Sequence, residues 1–98
     1  MNKEQVIETI QVNRELLERF SVRSLSVFGS IVRGEGGPDS DVDILVEFEP
    51  EARIGLFTFV HLKDVLSELL GCPVDLVTRD ALHPALRDAI LEEAVDVA

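Results

Sequence analysis

The segment from Asp41 to Phe48 constrains this chain most. Val42, Ile44, Val46 and Phe48 occupy every second position, the period of a strand that lays one face on a core. The same alternation sends Asp41 and Asp43 together to the opposite face, about 7 Å apart at their α-carbons. Two carboxylates at that distance repel, and holding them near a core without a counter-charge is costly. A divalent cation removes the conflict. Few protein oxygens, completed by substrate phosphates, is the usual Mg2+ arrangement.

The rest of the chain supplies a scaffold for this strand. Val6, Ile7, Ile10, Leu16, Leu17 and Phe20 recur at roughly helical spacing and predict an amphipathic helix over residues 3–20. Leu25 to Phe28 is a short strand candidate that ends at Gly29-Ser30. A very short helical turn follows, and residues 33–40, dense in Gly, Pro, Asp and Ser, form a loop. Glu49-Pro50-Glu51 ends the strand that begins at Asp41. A second amphipathic helix is expected over 56–70, offering Phe59, Leu62, Val65, Leu66, Leu69 and Leu70 to the core and stopping at Gly71. Residues 73–78 read as a third strand. Pro84 can begin a last helix with the apolar stripe Leu86, Ala89, Ile90, Ala94 and Val97. The 98 residues suffice for one domain with one core, residues 1–98. The order of elements predicts an α+β fold: a small mixed sheet of about three to four strands backed by helices.

Charge narrows the partners. Nineteen acids against nine Lys and Arg give a formal net charge of -10. A binder of nucleic-acid backbone needs a basic face to displace counterions, so direct nucleic-acid binding is not expected. The acidity suits a protein that meets phosphates through metal ions, or one that docks on a basic partner; it also serves solubility alone. No apolar run reaches the roughly 18 residues of a membrane span. The amino terminus opens into a charged, periodic segment rather than a signal peptide, which predicts a cytoplasmic protein. Cys72 is the lone cysteine, so no intrachain disulfide can form.

Further chemistry-bearing residues surround the Asp41–Asp43 pair. Asp75 lies between Val74 and Leu76 in the third strand and would join the pair if the two strands are neighbours. Three carboxylates can hold two metals roughly 4 Å apart, an arrangement that stabilises attacking and leaving oxygens in phosphoryl chemistry. Gly29 lets the backbone approach a phosphate closely, and Ser30 offers a hydroxyl and an amide. Arg33, one turn later, could touch phosphate or pair with a loop acid. Each feature alone is commonplace: Gly-Ser after a strand is usually a turn, and Asp-x-Asp is usually a solvated edge. His61, His83 and Cys72 stand at no metal-ligand spacing and read as structural.

Together these residues resemble a known signature. Gly29-Ser30, with Arg33-Gly34, Ser40 and Asp41-Val42-Asp43 following, is similar to the motif of the polymerase-beta-like nucleotidyltransferase superfamily. The fuller string resembles its minimal prokaryotic members, along nearly the whole chain. The resemblance implies the polymerase-beta-like fold. It puts Ser30 on the family's phosphate-contacting serine and Gly29 on its glycine, with Arg33 and Ser40 beside them as nucleotide-binding candidates. It puts Asp41 and Asp43 on the paired metal ligands and Asp75 on the third acid. It further implies Mg2+, in two ions, ATP as donor, and a HEPN-domain toxin as partner. AMP would pass to a tyrosine of that toxin, and the chain would be its antitoxin. Two other functions fit the residues: an antitoxin that works by occlusion alone, and transfer to a small molecule of the aminoglycoside type.

Overall fold

The computed structural model describes residues 2–35 and 41–97. Helix α1 (Lys3–Val12) begins at a reciprocal cap. The Asn2 side chain accepts from the Gln5 amide at 2.9 Å, and the Gln5 side chain accepts from the Asn2 amide at 2.8 Å. The single helix expected over residues 3–20 is broken at Asn13. That residue leaves helical geometry, and its side-chain amide donates to the Thr9 carbonyl at 2.8 Å. Asparagine competes for backbone groups in this way, which ends α1 and starts the short α2 (Arg14–Glu18). The break lets Val6 and Ile10 from one segment and Leu17 from the next all reach the core.

Four strands follow in the mixed sheet: β1 (Val22–Phe28), β2 (Val42–Phe48), β3 (Val74–Thr78) and β4 (Val95–Asp96). Their spatial order is β3-β2-β1-β4. β1 runs antiparallel to β2 and β4, whereas β2 and β3 are parallel, joined by α3 (Leu56–Leu70). That crossover is what a parallel neighbour requires. Leu62, Leu66 and Leu70 of α3 are buried one turn apart. Gly71 closes the helix in the left-handed region at φ 69°, as its position predicts.

The sheet buries both faces unequally. Val42, Ile44 and Val46 of β2 pack with Val6, Ile10, Leu25, Val27 and the α3 leucines in the principal core. On the reverse face Phe28, Leu45 and Leu82 form a smaller cluster. Helix α4 (Pro84–Glu93) covers this cluster with Ile90 and Leu91. It starts after His83, whose Nδ1 accepts from the Ala85 amide at 3.1 Å.

The stripe expected along the last helix needs correction. The helix ends at Glu93; Ala94 is extended, and Val95–Asp96 add a fourth strand to β1. Val97 is therefore not on α4. It is buried in the principal core, and its amide donates to the Leu25 carbonyl at 2.9 Å. Two β-branched valines flanking one aspartate favour strand over helix. Leu86, the first residue of the stripe, is 57% exposed.

Candidate active site

Strand register assembles the acids. β2 and β3 pair with Asp43 opposite Asp75. On the other side of β2, Asp43 is the register partner of Phe28, the last residue of β1. The three strand ends thus meet at one place: Asp43 in the middle, Asp75 on one flank, and the Gly29-Ser30 turn on the other. Asp41 lies one residue before β2. Asp43 is half-buried, and Asp41 and Asp75 are exposed.

The electrostatics of Asp43 follow from this placement. Partial burial pushes its carboxyl above the usual carboxylate range, the charges of Asp75 and Asp41 push it further, and a hydrogen bond with Asp75 adds to the effect. Arg33 opposes them weakly. Among the described residues, no three carboxylate, imidazole or thiol groups have closed into a metal site. The donor set nevertheless fits a hard divalent cation. It offers oxygens only, it gathers negative charge at one strand end, and the nearby arginine is committed elsewhere.

Gly29 packs directly on this carboxylate. Its φ is +81°, and a β-carbon there would overlap the Asp43 carboxylate. Only glycine allows the backbone this close. The next residues form a hydrogen-bonded turn: the Val32 and Arg33 amides donate to the Gly29 carbonyl at 3.1 and 3.3 Å, and the Glu35 amide donates to the Ser30 carbonyl at 2.9 Å. Ser30 is half-buried in that turn, beside the acids. Ser40, the remaining nucleotide-binding candidate, lies outside the described residues.

Arg33 does not reach the aspartates. Its Nε donates to Glu35 at 3.0 Å and its Nη1 to Glu93 at 2.7 Å. The same Glu93 carboxylate accepts the Gly29 amide at 3.1 Å. Sequence reasoning passed over Glu93, although a signal was present. It continues the helical stripe Leu86, Ala89, Ile90 with an acid, so the apolar face of α4 ends in a charge. The pairing with Arg33 holds the Glu93 carboxyl below its usual range, with the Gly29 amide assisting, and the Arg33 guanidinium is raised by its two carboxylates.

Concavities lie both at this region and away from it. An apolar cleft of about 330 Å3 opens beside Gly29 and Arg33, walled by Phe28, Leu86, Ala89 and Ile90. A larger one, of about 480 Å3, involves Arg23, Ser24, Ser26, Glu47, Arg79 and Asp96. It lies toward the far end of the β2 strand and contains none of the acids at the strand ends, so its size does not make it the reactive site.

Residues 10–97 match the nucleotidyltransferase domain family. The chain belongs to this family. Among its relatives is the protein adenylyltransferase MntA of Thermococcus cleftensis, 49% identical over 84 residues, which span 86% of this chain and 83% of the relative. A solved structure described as a minimal nucleotidyltransferase superposes with a TM-score of 0.72 at 38% identity, covering 97% of this chain and 95% of the other. A toxin–antitoxin structure with AMP-PNP shares the fold at a TM-score of 0.68 and 20% identity, covering 100% of this chain and 73% of the matched one. The nucleotidyltransferase class and the α+β fold expected from the sequence are both borne out. Among the described residues no helix is long and apolar enough to cross a membrane.

Proposed function

We propose that this nucleotidyltransferase is a cytoplasmic, single-domain antitoxin that transfers AMP from ATP to a tyrosine hydroxyl of a HEPN-domain toxin. The observation that carries the reading is the convergence of Asp43, Asp75 and the Gly29-Ser30 turn at one set of strand ends. The relationship to a protein adenylyltransferase supports a protein as acceptor.

Asp41 and Asp43 would hold the nucleotide-associated Mg2+, and Asp75 would complete a second site with them. When bound, divalent cations supply positive charge to the phosphates and to the acceptor oxygen. Ser30 offers its hydroxyl and amide to the triphosphate, on a turn whose backbone lies against Asp43. Ser40 and Arg33 are assigned to the same nucleotide on the strength of the motif, with Arg33 acting from its place beside Gly29. The acceptor oxygen forms a bond to the α-phosphorus as the bond to pyrophosphate breaks, and the hydroxyl proton passes to the carboxylate cluster near Asp75. Alignment and charge neutralisation carry the rate, with no covalent enzyme intermediate.

A second reading, neutralisation of the partner by binding alone, is favoured by one observation. Leu56 and Phe57 at the start of α3 are 74% and 90% exposed, an apolar surface suited to contact with another protein. One experiment separates the two. The chain is mixed with Mg2+, α-labelled ATP and its co-encoded HEPN protein, beside an Asp43→Asn control. Label on the partner that is lost in the control supports transfer. A control variant that neutralises the toxin as well as wild type, with no label on either, overturns it in favour of binding.

A further inference from the structure

The signature turn is fastened from outside the signature. Glu93, the last residue of α4, accepts the Gly29 amide through one oxygen at 3.1 Å and the Arg33 guanidinium through the other at 2.7 Å. These two donors bracket Ser30, at the beginning and the end of a single turn. Sixty-four residues separate Gly29 from Glu93, so the contact belongs to the tertiary fold and not to the turn itself. A charge-assisted hydrogen bond of this length is stronger than a neutral one, and a carboxylate spanning two donors also fixes direction.

What the bridge fixes is the approach of Gly29 to Asp43. The glycine backbone already lies where a β-carbon would strike the Asp43 carboxylate, so the turn can move toward the acids no further. The Glu93 bridge keeps it from moving away. We propose that Glu93 is a positioning residue for the transfer reaction: it sets the distance between the Ser30 donors and the Asp43–Asp75 pair. A phosphate on the Ser30 donors would then lie where a cation held by the acids could meet it. The inference rests on the function proposed above and adds to it a residue outside the recognised motif. Misplacement of about 1 Å at a reacting centre can cost on the order of a hundredfold in rate.

Substitutions of graded reach test it. Glu93→Gln keeps the side-chain length and an oxygen for the Gly29 amide but puts a donor, its NH2, against the Arg33 guanidinium. Glu93→Asp keeps the charge but is one methylene short of spanning both donors. Transfer of label from α-labelled ATP to the co-encoded partner is measured for each, together with binding of Mg-AMP-PNP by calorimetry and the melting temperature. Wild type and Asp43→Asn are the references. Positioning predicts both variants down by about tenfold or more, with weaker Mg-AMP-PNP binding below their melting temperatures, since neither can span the Gly29 amide and the Arg33 guanidinium. A Glu93→Gln variant that transfers as fast as wild type overturns the inference, because spanning the two donors would then not be required. So do two variants that both match wild type while Asp43→Asn is inactive. If wild type transfers no more label than Asp43→Asn, the proposed function fails first and this inference with it.

Discussion

Asp43 and Asp75 are register partners across the parallel strands β2 and β3, and the charge of Asp75 makes Asp43 harder to ionise. The fold therefore carries an acid whose native environment disfavours its ionised form. Such an arrangement survives where a ligand reverses it, and the fit to a divalent cation gives the reversal a physical basis.

Removing the Asp43 charge should stabilise the protein while abolishing transfer. The folded-state pKa of Asp43 lies above its ordinary value of 3.8. Its contribution to stability is thus fully present below that value and is lost as pH rises through the raised pKa. Asp43→Asn escapes the loss. Thermal melts without metal should show the variant a few degrees above wild type at pH 7, the two converging as pH falls toward about 4. A variant that melts lower at pH 7 would contradict the environment assigned to Asp43.

Divalent cation should reverse that ranking. Binding to the native state alone stabilises by about 2.7 kcal/mol at a concentration a hundred times Kd. Mg2+ should raise the melting temperature of wild type, and EDTA should undo the rise. Asp43→Asn and Asp75→Asn should respond weakly or not at all. An equal response in all three would move the cation away from these strand ends.

Glu93 predicts a pH dependence of opposite sign. Its folded-state pKa is depressed below 4.5, chiefly by Arg33. The stability it confers is present above 4.5 and is lost as pH falls through the depressed value. Acid unfolding of Glu93→Gln should accordingly be shallower than that of wild type over this range, with the Arg33→Gln variant behaving alike. A steeper acid transition in Glu93→Gln would count against the ion pair.

How much of this was legible in the sequence depends on the range of each interaction. The β2 strand, α3 and its Gly71 stop were readable because period and cap chemistry are local. Asp43 and Asp75 could be named as candidates, but their pairing required knowing that β2 and β3 are parallel neighbours in register. Asn13 was hidden inside a pattern that looked continuous: its competition with the backbone acts over four residues and is outweighed in any periodicity count. The alternation Val95-Asp96-Val97 was too short to prevail over the helical stripe preceding it. Glu93 was missed because its partners, Gly29 and Arg33, are some sixty residues away.

The contact between Gly29 and Asp43 gives the sharpest test of the site's construction. Gly29→Ala meets two obstacles. One is the left-handed backbone at φ +81°, worth about 1–2 kcal/mol for a residue with a β-carbon. The other is overlap with the Asp43 carboxylate, which can be relieved only by moving the acid or the turn. Asp43→Ala removes the second obstacle and leaves the first. A double-mutant cycle read by denaturant unfolding should therefore be non-additive, with Gly29→Ala costing less in the Asp43→Ala background by about 1 kcal/mol or more. Transfer by the single Gly29→Ala variant should fall at least tenfold, since any relaxation separates Ser30 from the acids. Additive effects in the cycle would mean that turn and carboxylate do not touch in solution, and the geometry that unites the Gly29-Ser30 turn with the acids would have to be abandoned.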